Sequence, residues 1–465
     1  MCECCQENAL QKEEIKILKE LVASLTAKIT ELEARLNKNS KNSNKPPSSD
    51  GLGKVKNSRT PSDKPSGGQK GHAGVTKELS PSPDTVVELV PVKTECDCGG
   101  EIVIQTDRFT VRQVEDVEPV KKIIVEYRVH EGVCAKCGKV HKANFPEGVD
   151  GRISYGDNIR AIVTYLNVYQ LIPLKRATEM AEDILGIKIS QGTIVKSLNE
   201  AYEKLEPAEE QIKEEVIESD VAGFDESGMR VGGKTHWLHS ASTGTCTVYS
   251  IHKKRGREAM DAMGILPLFR GTAIHDHWKS YYSYLQCAHA ECNEHHLRHL
   301  EYLYENLGQE WALEMACLLL RIKHHVDLSK LFGADSLERG DIEDYEGLYR
   351  EILENAHTTI EEAPVDARRM VKRMGEYEQE TLLFMYDFSV PFTNNLAERD
   401  IRMPKAKQKI SGGFRSEEGA EGFARVRGFI STVKKRGKNV FDGLCAAFKG
   451  EAVSFLSKEP EGDTT

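Results

Sequence analysis

Residues 221–300 constrain the fold of this chain more than any other stretch. VAGFDESGMRV (221–231), KTHWLHSAST (234–243) and TCTVYSIH (245–252) read as three strands joined closely enough to form a meander. GREAMDAMGILPLF (256–269) follows as an amphipathic helix, and GTAIHDHW (271–278) and AHAECNEHHLRHL (288–300) supply two more strand-like segments. Few folds share this order of three antiparallel strands, a helix and two further strands. The first strand also carries a carboxylate, Asp225, in otherwise apolar company. Desolvating an unpaired carboxylate is costly, so such a residue needs a cation, a strong donor or a metal ion. The simpler alternative ends the strand at Phe224 and begins a turn at Asp225.

The order is that of the ribonuclease H-like α/β fold, in which acids at the ends of strands one and four lie side by side at the sheet centre. Asp225 falls on strand one and Asp276 at the end of strand four. A third acid from a later helix completes such a cage, and Glu398 in TNNLAERDIR fits, with Asn394, Asn395 and Arg402 on its side of the helix. Three carboxylates of this kind hold two Mg²⁺ (or Mn²⁺) ions, which activate a water or a 3′-hydroxyl and stabilise the leaving oxygen at phosphorus.

The rest of the chain divides by texture into an α+β multidomain protein. Ile15, Leu18, Val22, Leu25, Ile29, Leu32 and Leu36 alternate in steps of three and four, an a/d seam expected to self-associate as a coiled coil over 1–37. A helix packed on its own core carries the same stripe. Residues 38–80 form a linker rich in Asn, Ser, Pro, Gly and Lys. In 81–150, TVVELVPV, EIVIQ, FTVRQVEDV and KKIIVEYRVH read as short strands bracketing Cys96 and Cys98, then Cys134 and Cys137. This predicts a zinc-ribbon-like module with structural Zn²⁺ on four thiolates. The first pair is CxC, so His130 or His141 is an alternative ligand. Residues 151–212 read as helices, with Gly186 ending one and Ser190 or Gln191 capping the next, a helix-turn-helix-like pattern that a plain bundle shares. The first part of the core spans 213–300, an acidic helical insertion 301–389, the third-acid helix 390–410, and a basic C-terminal region 411–465. Trp237 and Trp278 read as core aromatics, and Trp311 with Leu318–Leu320 as the buried face of an insertion helix.

The net charge of −10 conceals segregation: residues 38–77 and 399–438 are basic, whereas 301–389 are strongly acidic. Basic blocks in an acidic chain suit local grip on a polyanion. Lys405, Lys407, Lys409, Arg415, Arg425, Arg427, Lys434, Lys435 and Arg436 are the phosphate-contact candidates. No apolar run approaches a membrane span, and MCECCQENALQKEE lacks the layout of a secretory signal. A cytoplasmic, nucleoid-associated protein is expected, with its cysteines reduced or metal-bound.

Taken together the motifs resemble the transposases of the insertion-sequence-66 family, of the DDE group, over nearly the whole chain. The likeness rests on NSNKPPSSDG, GGQKGHAG, the cysteine ribbon, LIPLKRATEM with GIKISQGTI, FDESG, DHWKSYY, NNLAERDIR and KQKISGGFRSEEGAEGFARVRGFISTVKK. It implies a DDE triad of Asp225, Asp276 and Glu398, binding of terminal inverted repeats, cleavage at the element ends, and joining of 3′-hydroxyls to target DNA. It also implies a C-x-x-H element, matched by Cys292 and His295, that supports the site in a structural or phosphate-positioning role rather than as metal ligands. Accessory proteins of the same element are further expected partners. The departures are CxC for CxxC and a histidine on each side of Asp276. Those histidines support a rival reading, a His/Asp metallohydrolase, although along a strand His275 and His277 point away from Asp276, as flanking or DNA-facing residues. A non-catalytic DNA-binding regulator derived from a transposase is the other alternative.

Overall fold

The computed structural model of the chain describes residues 78–457, apart from 91–94, 105–106, 108, 117–121, 147, 150, 359–360 and 362. The expected coiled coil and nearly all of the basic linker lie outside the described residues. The described residues up to Ile123 belong to one unit and those from Ile124 onward to another.

In the first unit Cys96 opens a tight turn: its N–H donates to Gly100 O and its carbonyl accepts from Gly99, which sits at φ +83°. In the second unit β1 (Glu131–Val133) and β2 (Val140–Lys142) pair around the Cys134–Cys137 turn, where Cys134 N–H donates to Lys139 O and its carbonyl accepts from Gly138. The CxC knuckle thus closes one residue earlier than the CxxC knuckle. Among the described residues between Thr85 and His130 none of the expected strands is formed. Among the described residues before Glu131 the one strand-like contact is the Glu95–Glu101 bridge, and Val86, Leu89, Val114, Ile123 and Ile124 are exposed. Alternation supplies a face but no partner edge, and unpaired strands without a core are not stable.

The helical segment comprises α1 (Asp157–Thr164), continued by a π-helical turn at Tyr165–Tyr169, then α2 (Leu174–Leu185), α3 (Gln191–Lys204) and α4 (Glu206–Ile217). Gly186 ends α2 in the left-handed region at φ +63°. Ser190 Oγ accepts from Thr193 N–H at 3.1 Å, so Ser190 is the cap and the helix starts at Gln191.

The sheet contains β3 (Val221–Val231), β4 (Lys234–Ser242), β5 (Thr247–His252), β6 (Thr272–His275) and β7 (Ala288–Glu291), in the order β5-β4-β3-β6-β7. β3, β4 and β5 are antiparallel, β6 and β7 run parallel to β3, and α5 (Arg257–Met263) makes the crossover. The strand does not stop at Phe224: β3 continues through Asp225 to Val231.

After β7 come α6 (Asn293–Leu307), α7 (Glu310–Leu331), α8 (Arg339–Thr358), α9 (Val365–Glu376) and α10 (Glu378–Tyr386). They build their own core from residues such as Leu300, Trp311, Leu319, Tyr349, Met370 and Phe384. Leu318 and Leu319 are buried there, but Leu320 faces out. α11 (Asn395–Ser411), α12 (Glu417–Lys435), α13 (Val440–Phe448) and α14 (Ala452–Ser457) complete the chain. One core joins Ala201 and Leu205 of α3 and its end, Phe224 and Val248 of the sheet, and Phe429 and Leu444 of α12 and α13. Divisions at 212/213 and 410/411 therefore cut through a single hydrophobic core.

α11 is tied along β3 from end to end. Asn394, just before it, donates from Nδ2 to Phe224 O at 2.7 Å; Lys405 Nζ donates to Gly228 O at 2.8 Å; and Phe414, just after it, exchanges backbone bonds with Arg230 and Gly232. On the other side Asp400 accepts from Ser242, Thr247 and Lys435.

Candidate active site

β3 and β6 pair in parallel with Val221 beside Thr272, Ala222 beside Ala273 and Gly223 beside Ile274. Two residues further along each chain segment stand Asp225, within β3, and Asp276, just past the end of β6. The first turn of α11 carries Glu398, which the Asn394–Phe224 bond anchors against the same part of β3. Asp225 is raised well above the ordinary aspartate range by burial and by the negative charges of Glu226, Asp276 and Glu398. Burial and Glu226 push Asp276 up to about 6, against the pull of Arg255 and the Trp278 N–H, which donates to Asp276 Oδ1 at 3.0 Å. Burial also raises Glu398, offset by Arg298 and Arg402. Asp225, Asp276 and Glu398 are thus desolvated, and the charges of the other two bear on Asp225, although the three do not bring one oxygen each to within 4.8 Å of one another. Hard oxygen donors held against their own repulsion fit a divalent cation such as Mg²⁺ or Mn²⁺.

The neighbouring acid, Glu226, adds to that negative charge but has strong donors of its own. Arg255 donates to its Oε1 from Nε and Nη2 at 2.8 and 2.6 Å, and Tyr281 OH to its Oε2 at 2.5 Å. Arg255 in turn lies 3.8 Å from the Trp278 ring and 4.9 Å from that of Trp237. The two tryptophans are therefore walls for a cation and not simply core aromatics.

His275 is fully buried, stacked on Tyr281 at 4.4 Å, and bonded to Asp276 O and to His289. It faces no DNA. His277 bonds to Glu291, a buried acid at the end of β7 that also engages His296 at 2.6 Å, Tyr282 at 2.5 Å and Arg373 at 3.1 Å. Both imidazoles are committed away from Asp276, so a His/Asp ligand set does not assemble there. Through Arg373 the Glu291 hub also links the sheet to α9.

Cys292 and His295 flank Glu398: Cys292 Sγ and His295 Nδ1 each lie 3.8 Å from Glu398 Oε1. Arg402 is exposed near Glu398, whereas Asn395 is exposed and the buried contact belongs to Asn394. Asn394 does not cap α11 with its side chain; it reaches across to β3 instead.

Most of the basic residues marked as phosphate contacts are spent inside the protein. Lys405 bonds to Gly228 O, and buried Lys407 lies 3.4 Å from Asn167 O. Arg425 pairs with Glu209 and covers Tyr202, while Arg427 is buried against Val168 O and Tyr169 O. Lys435 pairs with Asp400, and Arg436 with Glu215. Helix α12 is a core helix, so its basic side chains satisfy carbonyls and acids around them. Lys409, Arg415 and Lys434 are exposed. A second group of basic residues runs from Lys253 to Arg257 at the start of α5, with Lys279 after Asp276; of these, Arg255 reaches the acids through Glu226. Its signal was the run KKRGR immediately after a core strand.

The mixed sheet thus presents one acid from each of two parallel strand ends and a third from a returning helix. Residues 152–422, more than half of the chain, match the model of the transposase IS66 family, and the chain belongs to that family. Residues 3–78 match a family of unknown function (DUF6444). No curated protein matches the chain. Among the described residues no helix is long and apolar enough to cross a membrane.

Proposed function

We propose that this transposase is a DDE enzyme with a ribonuclease H-like core, in which Asp225, Asp276 and Glu398 are the catalytic acids. The observation that carries the reading is the equivalent placement of Asp225 and Asp276 beyond the parallel pairing of β3 and β6, with Glu398 bearing on Asp225. Two Mg²⁺ or Mn²⁺ ions, when bound, supply activation of the attacking oxygen and charge stabilisation at the leaving oxygen. The chain's own residues hold that centre. The Trp278 N–H fixes the Asp276 carboxylate, and Arg255 neutralises Glu226 so that its charge adds less to the cluster. Asn394 fixes the start of α11 and hence Glu398. The reaction is hydrolysis of a phosphodiester at the element end, followed by attack of the freed 3′-hydroxyl on target DNA. Each step breaks one P–O bond and forms another, so no covalent protein intermediate is needed.

DNA recognition at the terminal inverted repeats is assigned to the helical segment and the basic linker, with Lys254, Lys279, Lys409, Arg415 and Lys434 as the exposed cations for backbone phosphates. Lys254 and Lys279 are exposed and have no ion pair among the described residues, and Lys279 lies three residues after Asp276 in the chain, which favours them. Structural Zn²⁺ is proposed for Cys96, Cys98, Cys134 and Cys137. Cys96 is lowered by the Cys98 N–H and thiol, and Cys134 by the N–H groups of Cys137 and Lys136, the donors a thiolate ligand needs. Self-association through the coiled coil and action beside accessory proteins of the same element complete the reading. Metal-dependent cleavage of DNA ends, lost on neutralising any one of the three acids, is its test.

A further inference from the structure

Glu398 faces two kinds of donor. Its carboxyl bears on Asp225, a hard oxygen ligand, and its Oε1 stands 3.8 Å from both Cys292 Sγ and His295 Nδ1. These three ligand atoms all lie within 4.8 Å of one another, and they form the one such group of His, Cys, Asp and Glu found among the described residues. Thiolate, imidazole and carboxylate are the ligands of zinc-type sites, where metal–ligand lengths of about 2.0–2.3 Å place donors roughly 3.3–3.8 Å apart around a tetrahedron. The two spacings to Glu398 Oε1 fall at the upper edge of that range.

Two further observations point the same way. His295 Nδ1 is buried and has no hydrogen-bond partner, although it is directed at Glu398. Buried polar atoms are normally satisfied, so an orphaned imidazole nitrogen needs an occupant. The Asn394 backbone N–H donates to Cys292 Sγ at 3.1 Å, the kind of N–H···S bond that supports a metal-bound thiolate. Cys292 also stands at the N-cap of α6, with His295 in its first turn.

We propose that Cys292, His295 and Glu398 form a site for a soft or borderline divalent cation of the Zn²⁺ class, with water as the fourth ligand. Binding replaces the Cys292 S–H with a metal–sulfur bond and releases that proton to solvent. Glu398 is then shared between a soft site and the hard carboxylate cluster. Occupation of the soft site draws Glu398 away from Asp225 and Asp276. Mg²⁺, which disfavours sulfur, does not compete for it. The site itself stands without the transposase reading; its consequence for DNA cleavage rests on that reading.

The test is a Co²⁺ titration of the full chain followed by its sulfur-to-cobalt charge-transfer absorption. Wild-type protein is compared with Cys292→Ser, His295→Gln and Asp225→Asn, each checked by circular dichroism. Loss of about one bound Co²⁺ per chain and its share of the charge-transfer band is expected in Cys292→Ser. His295→Gln should shift the visible bands and weaken binding about 10-fold or more, while Asp225→Asn retains the site. Equal Co²⁺ uptake and spectra in wild type, Cys292→Ser and His295→Gln would overturn the assignment. So would loss in Asp225→Asn equal to that in Cys292→Ser, since the ion would then belong to the hard cluster. Neither result depends on DNA, so cleavage assays judge the transposase reading separately.

Discussion

Asp225 on β3 and Asp276 just past the end of β6 each stand two residues beyond the paired Gly223 and Ile274 of these adjacent parallel strands. Parallel register is what converts two acids separated by fifty positions in the chain into neighbours. Burial raises both carboxyls above the ordinary aspartate range, with Glu226 adding to each and Asp276 and Glu398 adding to Asp225, and a bound cation would offset that cost.

The start of α11 is expected to be intolerant of small changes on β3. A Cβ at Gly223 would overlap Asn394 Oδ1, so Gly223→Ala must displace the segment that presents Glu398. A loss of about 1–3 kcal/mol in urea denaturation is expected, together with impaired cleavage. Asn394→Ala leaves the buried Phe224 carbonyl without its donor and should cost about 1–3 kcal/mol, whereas exposed Asn395→Ala should stay within about 0.5 kcal/mol. Equal effects at the two asparagines would contradict this placement.

Burial and Glu226 raise Asp276 from 3.8 to about 6. A carboxyl with a raised folded pKa contributes stability that is complete below its unfolded value and is lost as pH rises through the folded value. Metal-free protein should therefore lose stability between about pH 4 and pH 6 relative to Asp276→Asn, which lacks the step. Saturating Mg²⁺ should recover it above that window, because only ionised carboxylates ligate the ion. Thermal melts of both proteins across the range would show parallel curves if the account were wrong.

Exposed and internal cations should separate cleanly in DNA binding. Lys254→Gln with Lys279→Gln is expected to flatten the dependence of log binding constant on log salt by about two units. Lys435→Gln should instead cost about 3 kcal/mol of stability by stranding Asp400, with little change in the salt slope of the folded protein. A slope unmoved by the first pair would remove these loops from the DNA interface.

Bound zinc is expected in protein purified without chelator, and Cys96→Ser or Cys134→Ser should each abolish the portion held by the two knuckles. Elemental analysis measures this directly, and unchanged zinc in both variants would exclude the four-thiolate site.

The meander, the crossover helix and the two parallel strands were legible because alternation, turn residues and one amphipathic helix are local signals. Asp225 and Asp276 could be marked from that order alone. The strands expected between Thr85 and His130 were not legible in the same way, since Val86 and Ile124 meet a strand pattern but find no partner. The basic C-terminal run misled for a physical reason: charge in a sequence does not tell whether a side chain such as Arg427 meets phosphate or a buried carbonyl. Arg255, Glu291 and Asp400 escaped notice because each acts through a partner distant in the chain, and Asn394 could be placed beside Glu398 but not matched to its carbonyl on β3. Only packing α11 across the sheet makes Asn394, and not Asn395, the anchor.

The most direct test incubates purified protein with labelled DNA carrying the sequences that flank this gene, with and without Mg²⁺ or Mn²⁺. Asp225→Asn, Asp276→Asn and Glu398→Gln are run beside the wild type. Metal-dependent cleavage at the ends, abolished in all three variants while DNA binding persists, is the predicted result. Cleavage that survives neutralisation of any one of these acids would contradict the account.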